Sequence, residues 1–200
     1  MKMTSTEKAI THFQQHSGML RTTQAIRLGI APRTLYALRD AGRIVEVTRG
    51  VYRLPGAPSI EHADLVQVAL RVPKGIICLV SALAFHDLTT QIPHQVYVAL
   101  PLNAEKPRLV YPPVRLFWLS PAAYSAGIEE HHLESVVVRI YNREKTIADC
   151  FKYRNKIGLD VALEALKEGL KQGCKPETLL AFARIDRVGK IIHPYLEVLQ

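Results

Sequence analysis

The sequence has no run of about 18 apolar residues, the length that a helix needs to cross a membrane. Its longest apolar stretches, at 76–80 and 136–138, have the length of β-strands. The amino terminus lacks the apolar core of a secretory signal peptide, so we expect a cytoplasmic protein with no membrane partner. Only three cysteines occur, and their wide spacing favours reduced thiols over a disulfide framework.

Motifs of the common catalytic sites are also missing from the sequence. It has no glycine-rich phosphate loop, no nucleophile elbow, and no nuclease or nucleotidyltransferase pattern. Short pairs that contain histidine occur at 62–64, 86–87 and 131–132, but none has the spacing of a metal site. We therefore expect a protein that is not an enzyme and that holds neither a metal nor another cofactor.

Acidic residues are scarce in the first 55 positions, which hold nine cationic and three acidic side chains. Residues 56–200 are nearly balanced, with 17 cationic and 15 acidic side chains. Seven of the nine early cations are arginines, whose planar guanidinium pairs with phosphates and guanine edges. Such an excess is typical of a solvated basic surface or of a nucleic-acid interface, and the residue pattern must decide between them.

The first part of the chain has the pattern of three helices. Residues 4–16 carry apolar side chains at helical spacing. Thr22 is a candidate N-cap for a second helix, which ends before Gly29. Pro32 suits the first turn of a third helix, and Gly42 ends that helix.

The spacing around Gly29 is that of a helix-turn-helix. Ala25 is small enough for a crossing helix to approach closely, and Leu35 and Leu38 would face inward. The opposite side of the third helix would then be free to contact base edges and phosphates. On that side we predict DNA contacts by Arg33, Thr34, Tyr36, Ala37 and Arg39.

Residues 43–54 alternate apolar and polar side chains, which predicts a β-hairpin with its turn at Arg49 and Gly50. A basic hairpin directly after a reading helix is typical of a wing that contacts phosphates or the minor groove. The same hairpin could also serve only to cover the helices. We predict further DNA contacts by Thr22, Thr23, Arg43, Arg49, Tyr52 and Arg53.

The proline-rich stretch 55–58 predicts a junction between two domains, residues 1–55 and 59–200. The second domain has a mixed pattern, and the fold class is therefore α+β: an N-terminal winged helix-turn-helix followed by a mixed α/β C-terminal domain. Its predicted strands are 75–80, 95–100, 114–119 and 136–141. Its predicted helices are 60–71, 81–88 with Ser81 as the cap, 144–153, 158–171, 176–185 and 194–199. Lys145, Lys152 and Arg154 form a weaker candidate patch for phosphate contacts.

Four segments in the first part of the chain carry a resemblance to a known family: GMLRTTQA (18–25), GI (29–30), TLYAL (34–38) and RGVYR (49–53). They resemble the N-terminal winged domain of AbiEi-type antitoxins, which belong to bacterial type IV toxin–antitoxin systems. Later segments resemble the C-terminal domain of that family. They are SALAFHDL (81–88), VYVAL (96–100) and REKTIADC (143–150).

The resemblance implies double-stranded DNA as a partner, namely inverted repeats in the protein's own promoter, and repression of an antitoxin–toxin operon. It also implies that the C-terminal domain counters a nucleotidyltransferase toxin without a stable complex. Two alternatives stay open: a winged-helix transcription factor that senses a ligand and has no toxin partner, and an enzyme that the winged domain targets to nucleic acid. An apolar pocket with convergent polar groups would favour the first, and a cleft with acids of perturbed pKa the second.

Overall fold

The computed structural model describes residues 4–16, 18–56, 62–133 and 136–199. The fold is mixed α+β, as the sequence predicts. The chain divides into two compact units, Met1–Ala63 with His132–Val136 and Asp64–His131 with Val137–Gln200. The proposed junction at 55–58 lies partly outside the described residues.

The first unit combines helices with a small antiparallel sheet. Its described elements are α1 (Ser5–Gln15), β1 (Met19–Arg21), α2 (Thr22–Arg27), α3 (Pro32–Asp40), β2 (Val45–Thr48) and β3 (Val51–Arg53). The strands are paired in the order β1-β3-β2. Each of the three helices begins and ends within one or two residues of its predicted bounds.

Local hydrogen bonding explains where α1 and α3 begin. The hydroxyl of Thr4 accepts the N–H of Glu7 at 3.2 Å, and the Glu7 carboxylate accepts the N–H of Thr4 at 2.8 Å. This reciprocal pair satisfies two of the donors that a helix start leaves open. Pro32 is the first residue of α3, where its missing N–H leaves no donor unsatisfied.

The predicted role of Thr22 as an N-cap is wrong. Arg21 occupies the N-cap position, and Thr22 is the first residue of α2. The N–H and the hydroxyl of Thr22 both donate to the carbonyl of Gly50, at 2.8 and 3.1 Å. Thr22 therefore connects the start of α2 to the turn between β2 and β3, which is a tertiary contact that local helix signals do not reveal.

A glycine turn joins α2 to α3 and allows their apolar sides to meet. Gly29 has φ +83°, in the left-handed region that a residue without a Cβ adopts easily. The N–H of Ile30 then donates to the carbonyl of Ala25 at 2.9 Å. Ala25, Leu35 and Leu38 are buried, as predicted. The core of this unit consists of Ala9, Phe13, Leu20, Ala25, Ile30, Leu35, Leu38, Ile44 and Tyr52.

The remaining elements include a larger sheet and further helices. Their bounds are α4 (Ala63–Arg71), β4 (Ile76–Ile77), α5 (Leu79–Phe85), β5 (Val96–Pro101), β6 (Val114–Leu119), α6 (Pro121–Ser125), β7 (Ile128–Leu133), β8 (Val136–Tyr141), α7 (Arg143–Lys152), α8 (Arg154–Ile157), α9 (Leu159–Lys171), α10 (Pro176–Ile185) and α11 (Gly189–Leu199). The strand order is β6-β5-β4-β8-β7. The short strand β4 is antiparallel to β5 and parallel to β8, so the sheet is mixed. No helix in the described ranges has both the length and the apolar character to span a lipid bilayer.

Several predicted bounds in this part of the chain are wrong. The strand predicted at 75–80 ends at Ile77, and α5 begins at Leu79. Ser81 lies inside α5 rather than at its start, and its hydroxyl accepts the N–H of Tyr97 at 3.0 Å. The predictions missed α6, β7 and α8. They also started the last helix at Pro194, which lies inside α11.

Candidate nucleic-acid interface

The outward side of α3 presents a mixed cationic and aromatic surface. Arg33, Tyr36, Ala37 and Arg39 are exposed, and Thr34 is half-buried. The guanidinium of Arg39 lies 2.9 Å from the Asp40 carboxylate and 5.2 Å from the centre of the Tyr36 ring. Leu35 and Leu38 anchor the opposite side of the helix in the core, so these outward side chains have a fixed direction.

The hairpin of β2 and β3 adds a basic tip. Arg49 is exposed in the turn, and Gly50 follows it with φ +74°. The N–H of Gly50 donates to the Glu46 carboxylate at 2.9 Å, which closes the turn. Arg53 lies half-buried on the return strand.

Tyr52 does not lie on the predicted DNA surface. Its side chain is only 3% exposed and belongs to the core of the first unit. Burial, with a smaller effect of Glu46, raises the pKa of its phenol. Tyr52 lies on the central strand β3 directly opposite Leu20 of β1. Side chains of paired residues lie on the same face of a sheet, so Tyr52 packs into the core together with the buried Leu20.

The remaining predicted contact residues differ in accessibility. Thr22 is half-buried and its hydroxyl is already bonded to Gly50, so it supports the turn instead of offering a free donor. The exposed residues are Thr23, Arg33, Tyr36, Ala37, Arg39, Arg43 and Arg49. The half-buried ones are Thr34 and Arg53.

Two basic side chains of α1 lie near α3 and were not predicted to do so. Lys8 and His12 line a cavity together with Arg33 of α3. They are four residues apart and therefore lie on one face of the helix. That spacing is the signal that could have identified them, although it does not reveal what the helix packs against.

The predicted patch of Lys145, Lys152 and Arg154 does not form a basic surface. Lys145 is completely buried, and its ammonium donates to Asp149 at 2.5 Å and to Asp186 at 3.2 Å. Lys152 donates to the other oxygen of Asp186 at 3.2 Å. The prediction is wrong for Lys145 because the apolar neighbours of α7 bury the stem of this lysine and two carboxylates balance its charge.

Burial raises the pKa of Asp149 to about 7, and the nearby Asp186 acts in the same direction. The charge of Lys145 opposes this shift. A perturbed acid is one mark of a catalytic site, but here both carboxylates are bonded to ammonium groups. Within the described residues, no group of three or more His, Cys, Asp or Glu side chains is placed to hold a metal ion.

A comparison with known families identifies the class of the N-terminal segment. Residues 7–55 match a family model of transcriptional regulators. The family is described as "Transcriptional regulator, AbiEi antitoxin". The resemblance that the sequence analysis stated is therefore confirmed over this segment, whereas the resemblance of residues 56–200 to the C-terminal domain of the family stays a prediction.

Similarity to a solved structure extends over most of the chain. The solved structure is the crystal structure of the RV2827C protein from Mycobacterium tuberculosis, with 12% sequence identity and a TM-score of 0.50. The similarity covers 92% of this chain and 82% of that chain. At this identity the likeness concerns the fold alone. No curated protein matches the chain.

Proposed function

We propose that the first 55 residues form a winged helix-turn-helix that binds double-stranded DNA, and that the chain is an antitoxin that represses its own operon. The observation that carries this proposal is the arrangement of the first unit. A glycine turn joins α2 to α3, α3 turns a cationic side to solvent, and a basic hairpin follows. The family match of residues 7–55 supports the same role.

In this proposal α3 is the reading helix. Its exposed Tyr36, Ala37 and Arg39 lie on the side opposite to the core and would face the major groove. Arg49 at the hairpin tip would contact a phosphate or enter the minor groove. The inverted repeats expected from the resemblance would be bound by two copies of this unit.

We assign the antitoxin role to residues 59–200 as a second domain. They would counter a nucleotidyltransferase toxin without forming a stable complex with it, as the resemblance to AbiEi antitoxins implies. The buried ion pairs of Lys145 and Lys152 support a structural role for the acids of this domain, so we expect no catalysis by them.

Binding to DNA from upstream of the gene, compared with a scrambled duplex over a salt series, tests the repressor role. We expect a clear preference for the upstream fragment and a steep salt dependence. Arg49→Ala should weaken binding to both duplexes and reduce the salt slope by about 1. Equal and weak binding to both duplexes would contradict sequence-specific repression.

Co-expression with a nucleotidyltransferase encoded next to the gene tests the antitoxin role separately. We expect the wild type to restore growth. The Arg49→Ala variant should also restore growth while it loses repression, because the two roles are assigned to different domains. Failure of the wild type to restore growth would contradict the antitoxin role and leave the DNA-binding role standing.

A further inference from the structure

Two of the three acidic side chains in the first 55 residues lie beside the same arginine. The Nε–H of Arg39 donates to the Asp40 carboxylate at 3.0 Å, and its Nη2 atom lies 2.9 Å from the same oxygen. A carboxylate oxygen of Glu46 lies 3.9 Å from Nη1 of Arg39. The third acid, Glu7, caps the start of α1. A strongly basic segment thus places both of its other carboxylates beside the outward side of α3.

Glu46 reaches α3 because of its place in the pairing of β2 with β3. It lies directly opposite Tyr52. Side chains of paired residues project from the same face of a sheet, and Tyr52 belongs to the core that Leu35 and Leu38 of α3 also line. The sheet therefore directs Glu46 toward α3, and the Glu46 side chain is only 33% exposed.

One carboxylate of Glu46 serves two elements of the first unit. Its Oε2 atom lies beside Arg39 of α3, and its Oε1 atom accepts the N–H of Gly50 at 2.9 Å. The carbonyl of Gly50 accepts the N–H and the hydroxyl of Thr22, at 2.8 and 3.1 Å. Both polar backbone groups of Gly50 are thus bonded, and the turn that carries Arg49 has a fixed place relative to Arg39.

The ring of Tyr36 completes the surroundings of Arg39. Its centre lies 5.2 Å from the guanidinium carbon, a distance at which the π system attracts the cation. Two carboxylates and one ring therefore restrain the end of a long side chain. A side chain that is ordered before it binds loses less entropy when it binds.

A guanine edge and a phosphate respond differently to carboxylates beside the arginine. Arginine can bind either group, through O6 and N7 of guanine or through two phosphate oxygens. A phosphate carries a negative charge that neighbouring carboxylates repel, whereas the guanine acceptors are uncharged. The carboxylates therefore disfavour the phosphate contact more than the guanine contact. Repulsion of the wrong partner in this way is a general source of specificity.

From this arrangement we infer that Asp40 and Glu46 are specificity-determining residues, which direct Arg39 to a guanine edge in the major groove and away from phosphates. Both act through Arg39 and not by their own contact with DNA. Glu46 is in addition the positioning residue that connects α3 to the hairpin turn. The inference rests on the proposed function, because it concerns how the winged domain distinguishes one duplex from another.

Variants matched in charge separate this role from general electrostatics. Glu46→Gln, Asp40→Asn and the control Glu7→Gln each remove one negative charge, and Glu7 forms no ion pair within the described residues. Fluorescence anisotropy at one salt concentration measures binding to the upstream and the scrambled duplex. We expect Glu7→Gln to strengthen both by the same factor. Each of the other two should lower the preference for the upstream duplex about threefold, the scale of one exposed ion pair.

Substitution of the guanines one at a time by 7-deazaguanine identifies the base, because this analogue lacks the N7 acceptor. We expect one position at which the analogue weakens binding of the wild type about tenfold and leaves binding of Arg39→Ala unchanged.

NMR spectra of the free protein test the positioning role without DNA. Glu46→Ala should shift both the Nε–H signal of Arg39 and the amide signal of Gly50. Glu46→Gln keeps an acceptor for the Gly50 amide, so it should restore that signal and not the signal of Arg39. Asp40→Asn should shift the Arg39 signal alone. Circular dichroism verifies that the variants fold.

The inference is overturned if the wild type prefers the upstream duplex and Glu46→Gln and Asp40→Asn keep the same preference as Glu7→Gln. It is also overturned if no guanine position distinguishes the wild type from Arg39→Ala, or if Glu46→Ala leaves the Arg39 and Gly50 signals in place. Equal and weak binding of the wild type to both duplexes would instead contradict the proposed function, so the binding of the wild type distinguishes the two failures.

Discussion

The ammonium of Lys145 lies 3.2 Å from the carboxylate of Asp186, the C-cap residue that follows α10. This contact connects α7 to α10 in the interior of the second unit, and Asp149 provides the second carboxylate of the same lysine. Lys152 completes the cluster from its partly exposed side. Two ammonium groups thus face two carboxylates.

Replacing Lys145 by methionine should destabilise the second unit by about 3–5 kcal/mol, because it leaves two buried carboxylates without their shared partner. Trp118, the sole tryptophan, lies in β6 and reports the unfolding of this unit by its fluorescence in urea. Lys152→Met is the matched control. It should have a smaller effect, since Lys152 is 29% exposed and Asp186 keeps its bond to Lys145. Equal losses for both variants would contradict the central position of Lys145.

The pKa of Asp149, raised to about 7 from 3.8, gives the stability a specific pH dependence. The folded state holds this proton more tightly than the unfolded state. The contribution of Asp149 to the free energy of unfolding is therefore fully present below 3.8 and is lost as the pH rises to about 7. Asp149→Asn should lack this loss. Its free energy of unfolding in urea, relative to that of the wild type, should therefore rise progressively between about pH 4.5 and about pH 7.5. The opposite trend would mean that Lys145 holds Asp149 ionised with a depressed pKa.

Comparison of Gly50→Ala with Gly29→Ala distinguishes the cost of a strained backbone from the cost of a steric contact. Both glycines have positive φ, so alanine at either position should cost about 1–2 kcal/mol. A Cβ at Gly50 would lie 3.3 Å from the Thr22 hydroxyl oxygen, whereas a Cβ at Gly29 would meet nothing within 4 Å. We therefore expect the larger loss of thermal stability for Gly50→Ala. Equal losses would show that the Thr22 contact adjusts freely.

Arg33 and Arg39 should differ in what they recognise. Arg33 is exposed in the first turn of α3, where we expect a phosphate contact, so Arg33→Ala should weaken binding to the upstream and the scrambled duplex alike. Arg39 stands beside Tyr36 on the outward side of α3, and Arg39→Ala should weaken specific binding by about 1–3 kcal/mol. Asp40→Asn should strengthen binding, because it removes the nearer of the two carboxylates beside the Arg39 guanidinium, Asp40 at 2.9 Å and Glu46 at 3.9 Å. Fluorescence anisotropy with both duplexes measures these differences, and an unaltered specificity ratio in Arg39→Ala would contradict base recognition.

Sequence patterns were most informative in the first unit, where the relevant signals are local. The glycine turn, the proline start of α3 and the inward Leu35 and Leu38 follow from spacing along one or two helices. Tyr52 was misassigned because its burial depends on pairing with Leu20, more than thirty positions earlier, which no local pattern contains.

The structure of the second unit was harder to predict from the sequence for the same physical reason. The apolar run 76–80 has the composition of a strand, yet only Ile76 and Ile77 pair in the sheet and the helix takes over at Leu79. Lys145 can be buried because its ammonium pairs with Asp186, the C-cap residue of another helix. The local sequence predicts a surface cation, whereas the structure places this lysine in the core.

The strand order also determines when each sheet can form while the chain is synthesised on the ribosome. All pairings of the first sheet are complete once the chain has reached Arg53. The strand β4, in contrast, pairs with β8 through Ile77 and Ile140 and must wait until that segment has emerged. During this interval its apolar edge has no partner on the β8 side, and transiently open strands of this kind are prone to aggregation. We expect nascent chains that stall between residues 80 and 136 to be the ones that chaperones bind most.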